Sequence, residues 1–70
     1  MYHQYHLQSG GTHTTCWIEK DNRIRLHSVI RLRGEEAWWR VTWISNTKTS
    51  HPPQTDWKVG GLDRRQDKAL

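Results

Sequence analysis

Phenylalanine is missing from this chain of 70 residues, cysteine occurs once, and no apolar stretch approaches the roughly 20 residues that a membrane-spanning helix needs. Each absence excludes something. Without phenylalanine, and with hydrophobic residues at 33%, a core must draw on the five tryptophans, since each large aromatic buries roughly 150–250 Å². The lone Cys16 excludes an internal disulfide and suits a reducing, intracellular compartment. With no apolar run in Met1–His6 to serve as a leader, the expectation is a soluble protein with no membrane partner. Acidic residues are also scarce, seven against eleven Lys and Arg. The resulting charge of +4 and pI near 9.7 favour anionic partners, whether nucleic acid or an acidic protein surface.

What is present is concentrated between Arg23 and Ser45. Ile24, Leu26, Ile30 and Leu32 alternate with Arg23, Arg25, His27, Arg31 and Arg33, the period of two expected of a half-buried strand over Ile24 to Leu32. Gly34-Glu35-Glu36 joins it to a second strand, Ala37 to Ser45. There Trp39, Val41 and Trp43 alternate with Trp38, Arg40, Thr42 and Ile44, so both sides carry large apolar groups and the pattern does not choose between them. Trp38 and Trp39, being adjacent, point to opposite faces. Core demand is expected to take Trp39 with one of Trp17 or Trp43, leaving Trp38 exposed.

Before this pair, Tyr2 to Gln8 reads as a strand with Tyr5 and Leu7 inward, and Ser9-Gly10-Gly11 as a turn. Thr12 to Glu19 follows as a strand with Cys16 and Ile18 inward and Trp17 opposite, closed by the turn formers Lys20-Asp21-Asn22. After it, Asn46 to Thr55, with Pro52 and Pro53, reads as a loop. Trp57 and Val59 return as a short strand or an anchor, and Gly60-Gly61 breaks the chain again. Asp63, three residues before Gln66, can start a short terminal helix through Ala69. The predicted fold is therefore all-β, a small SH3-like barrel or a strongly bent antiparallel sheet of four to five short strands. Residues 1–45 form its core, and residues 46–70 form an extended loop and tail packing on or leaving it. Closure is attractive because it removes unpaired strand edges.

Thr14-Thr15-Cys16-Trp17-Ile18-Glu19, Val29-Ile30-Arg31-Leu32, Trp39-Arg40-Val41 and the charged tail with Arg65-Gln66-Asp67 resemble a group of short, uncharacterised phage-encoded proteins. The chain departs from that group near Leu26-His27-Ser28, where the group carries Val-Gly. The resemblance implies a phage accessory protein acting in the host cytoplasm. It carries no functional residues with it.

Three features bear on chemistry. Arg23, Arg25, Arg31 and Arg33 form a basic stripe on one side of the predicted strand, extended by Arg40, and Arg forks pair bidentately with phosphate or carboxylate. With Trp38 beside it, and with Arg64 and Arg65 as a second handle from the tail, this is the expected partner-binding surface, since Trp and Arg dominate binding hot spots. The bland alternative is a solvated strand face whose charges keep an edge from aggregating. His3-x-x-His6 and His13-x-x-Cys16 have the spacing of zinc knuckles, yet residues three apart on a strand face opposite ways, so surface histidines on a hairpin are the simpler reading and no metal is expected. Asp21, Glu35, Glu36 and Asp56 fall in predicted turns with no partnered base or nucleophile, so neither catalysis nor a cofactor is expected. The expected function is non-enzymatic: binding, and inhibiting or otherwise modulating, a host or phage protein with an acidic surface. A single-stranded nucleic-acid binder and a phage structural protein are the alternatives, and a homodimer is compatible with all three.

Overall fold

The hairpin at the N-terminus forms as the alternation predicts: β1 (Tyr2–Ser9) and β2 (Thr12–Glu19) pair in unbroken antiparallel register from Tyr2 opposite Glu19 to Ser9 opposite Thr12. Gly10, at φ +60°, takes the first central position of the two-residue loop, where a type II′ turn needs positive φ. This computed structural model describes residues 1–53 and 57–62. The remaining strands are β3 (Val29–Leu32), β4 (Trp38–Thr49) and β5 (Val59–Leu62), and the five make one all-antiparallel sheet in the order β2-β1-β4-β3-β5. The fold is the bent sheet rather than a closed barrel. Its β2 edge meets the chain entering β5 at one point, where Trp57 N–H donates to the Trp17 carbonyl at 3.2 Å beside the Ile18–Trp57 bridge.

Tyr5, Leu7, Cys16, Ile18, Ile24, Ile30, Leu32 and Val41 are buried together on the inner face, and Trp39, Ile44, Trp57, Val59 and Leu62 pack against them. The expected inward residues of β1 and β2 are all there. Of the tryptophans, Trp39 packs on the core as expected, but its companion is Trp57 rather than Trp17 or Trp43, and Trp43 is 60% exposed.

The expected strand from Ile24 to Leu32 is shortened to Val29–Leu32. Short polar side chains capture the backbone before it. Asp21 accepts from the Arg23 backbone N–H at 2.9 Å, and the Ile24 N–H donates to the Asp21 carbonyl at 3.0 Å. Ser28 Oγ accepts from the Arg25 N–H at 2.8 Å, and the Ser28 N–H closes a turn onto the Arg25 carbonyl at 3.0 Å. His27 sits in that turn at φ +75°, in the left-handed region, and Leu26 is left 45% exposed instead of joining the core. Ile24 still drops inward.

β4 shows the opposite error: it runs on to Thr49, so Asn46–Thr49, expected as loop, belong to the sheet opposite the start of β1. Gly60 and Gly61 do not break the chain but lie in β5. A Cβ on Gly60 would come within 3.3 Å of the Arg31 carbonyl and Arg33 Cα, so glycine is what lets β5 approach β3. The sheet thus reaches beyond residue 45, through the end of β4 and β5. The terminal helix expected from Asp63, and the tail residues Arg64 and Arg65, lie outside the described residues.

Cys16 is buried, and desolvation, with a smaller contribution from the Glu35 charge, pushes its thiol up from 9.0 to about 11. Burial pushes the Tyr5 phenol up as well. Between the two thiol values the unfolded chain has lost a proton that the folded chain keeps. Stability should therefore be complete below about pH 9 and fall as pH rises through about 11. Urea midpoints measured from pH 8 to 11 should decline, and Cys16→Ala should flatten that decline.

Candidate functional site

Directly opposed residues of paired strands share a face. The registers therefore assemble the outer face in rows. Gly61, Arg31 and Trp38 form one row, from β5 through β3 to β4. Val29, Arg40, Gln8 and His13 form the next, from β3 to β2. Trp43, His6 and Thr15 form a third, and Gln4 with Trp17 a fourth. Arg31 Cζ stands 5.6 Å from the centre of the Trp38 ring, a cation–π contact that steadies both side chains. The indole lies over Gly61, with its Cη2 3.9 Å from where a Cβ would stand, an ordinary packing distance. Trp38 and Trp43 remain 40% and 60% exposed.

This phase is set by an irregularity in β4. Leu7 pairs with Val41 and His6 with Trp43, so Thr42 is an extra residue in β4, a β-bulge, and its hydroxyl donates to the His6 carbonyl at 3.2 Å. The bulge lets Val41 and Ile44 both pack inward while Trp43 stays outside. A second shift between Tyr5 and His3 bends the strand again.

The expected basic stripe is divided. Arg31 lies on the outer face in β3, and Arg40, from β4, belongs to the same face. Arg23 lies in the turn before β3 and not on the strand, its guanidinium exposed but paired. It donates to Asp21 from Nη2 at 2.8 Å and from Nε at 3.1 Å, which holds the Asp21 carboxyl below its usual range. Arg25 and Arg33 are exposed in turns outside the strands. The assumption that one strand would carry all four guanidiniums fails because Asp21 and Ser28 turn the chain before β3 starts.

The sequence reading missed Trp43 as an exposed contact, and also the neighbouring His6, Gln8 and His13. Alternation cannot reveal Trp43, because the Thr42 bulge changes phase in mid-strand; His6, Gln8 and His13 lie outward on β1 and β2 as alternation there requires, and only the pairing of β1 with β4 sets them beside Arg40 and Trp43. Glu19 is the one acidic residue in any of the five strands, and it lies at the far end of β2. Glu35 accepts from Trp39 Nε1 at 3.0 Å, a structural contact. The four histidine and cysteine candidates are not brought to one point. Cys16 is buried in the core and His3 Nδ1 lies 3.2 Å from the Ser45 carbonyl, while His6 and His13 share a shallow depression with Thr15 and Thr42. Among the described residues no group of three His, Cys, Asp or Glu could hold a metal ion, and no helix is long and apolar enough to cross a membrane. No family model, curated protein or solved structure matches the chain.

Proposed function

We propose that this chain is a non-enzymatic, phage-encoded accessory protein that works in the host cytoplasm by binding a partner macromolecule and modulating it, most simply by inhibition. The contact surface is the outer face of the sheet, and the partner is anionic where it meets that face. One observation carries the reading: two exposed tryptophans and two strand arginines lie on one face where sheet pairing and core packing need none of them exposed. Large apolar side chains left in water beside unneutralised cations are the composition of a binding hot spot. A host or phage protein with an acidic surface satisfies this chemistry, as does single-stranded nucleic acid.

Tagged protein added to bacterial lysate should retain a stoichiometric partner. Arg31→Glu with Arg40→Glu should lose at least 90% of it with unchanged circular dichroism, because both side chains are solvent-facing. Arg23→Glu should lose little, because Arg23 is already engaged by Asp21. Retention indifferent to the Arg31/Arg40 reversal would overturn the reading, and so would co-purification with phage particles as a stoichiometric component.

A further inference from the structure

Trp38 and Trp43 do not form a cluster. Arg40 stands between them in sequence, and Gln8, then His13, follow it across the sheet. Five residues of strand place the two Cα atoms at most roughly 17 Å apart, less the shortening at the Thr42 bulge. Protein hot spots gather their anchors at one desolvated centre. Spaced aromatic platforms alternating with cations, with amide and imidazole groups between them, instead suit a chain of flat rings joined by charged links.

From this we propose that the outer face binds single-stranded nucleic acid, with bases stacked on Trp43 and Trp38 and phosphates held by Arg40 and Arg31. The proposal rests on the reading of that face as the binding surface. Trp43 is the more open platform, and Trp38 is pre-ordered by its contact with Arg31. Gln8 and His13 lie within the same row as Arg40, where their polar groups can meet base edges. Duplex DNA keeps its bases stacked on one another and cannot use the platforms. The acidic side chain nearest in sequence, Glu36, is in the β3–β4 connection, and no strand of the face except the end of β2 carries one. Among the described residues a polyanion therefore crosses most of the sheet without meeting a like charge.

The test is fluorescence titration of the full chain with a mixed-sequence single-stranded oligonucleotide of about 12 residues, within the range one small β-fold covers, and with the corresponding duplex. The single strand should quench tryptophan emission and bind more tightly than the duplex. Two phosphate contacts predict a log–log salt slope of about −1.4. Trp43→Ala should weaken binding about 5- to 150-fold, the loss that removing one stacked base produces, while Trp43→Phe should recover most of it. The Phe variant separates loss of stacking from loss of fold. Equal binding of single strand and duplex, or no loss in Trp43→Ala, would overturn the proposal by reducing the interaction to bulk charge. No binding at low salt would overturn it too. In that case, a nuclease-resistant protein partner lost on Arg31/Arg40 reversal would leave the outer face standing as a protein-docking surface, and its absence would remove both.

Discussion

Deleting Thr42 should leave the protein folded, whereas deleting Arg40, two residues earlier in the same strand, should unfold it. Thr42 is the surplus residue of the β4 bulge, lying with Trp43 opposite His6. Without it, Val41, Trp43 and Ile44 run in, out, in, as they do now, and the visible loss is one hydroxyl-to-carbonyl hydrogen bond at 3.2 Å. That is worth about 0.5–1.5 kcal/mol, plus some loss of curvature. Arg40 pairs with Gln8 on one side and Val29 on the other, in regular register. Its removal turns Trp39 out and Trp38 in relative to Val41, or else slips every pair of the β3–β4 ladder. Either outcome displaces Trp39 from the core and breaks its hydrogen bond to Glu35. Circular dichroism and urea melts of the two deletions, compared at equal concentration, decide the point. Two deletions of equal cost would show that the bulge does not set the phase.

Ile30→Ala is the second large effect. Ile30 is fully buried at the crossing of β3 with Trp39 of β4 and Leu62 of β5, and β3 has only four residues with which to hold both neighbours. Truncation of a buried Ile costs about 2–5 kcal/mol, the more so where neighbours cannot collapse into the space. Domain stabilities of about 0.05–0.15 kcal/mol per residue leave a chain of this size about 3.5–10 kcal/mol in total. The loss is therefore a large share of the total, and a clearly lower denaturant midpoint is expected, with release of β5 first. Lys48→Ala, at an exposed position of β4, should stay within about 0.5 kcal/mol of the parent. A denaturant midpoint for Ile30→Ala within error of the Lys48→Ala midpoint would show that β3 is not the clamp between β4 and β5.

The physical link between fold and surface is economy of core. Among the described residues eight are buried, none of them tryptophan, and the indoles of Trp39 and Trp57 close the margins. Trp38 and Trp43 are then surplus to packing and remain outside, next to Arg31 and Arg40.

Local pattern determined much of this protein. Alternation in Tyr2–Ser9 and Thr12–Glu19, weak as it is in the first, with glycine where positive φ is needed, was enough for the first hairpin and its inward residues, because a regular ladder has period two and nothing interrupts it. The all-β class, Ile30 and Leu32 in the core, and the opposition of Trp38 and Trp39 follow from the same rule. A period-two pattern overlooks the turns at Asp21 and Ser28, whose side chains capture backbone N–H groups two and three residues away, cut β3 short and split the arginine stripe. Only tertiary structure decided the rest: the Thr42 bulge puts Trp43 outside while keeping Ile44 in because β1 lies alongside β4 there, and a partner distant in sequence leaves no mark on local alternation.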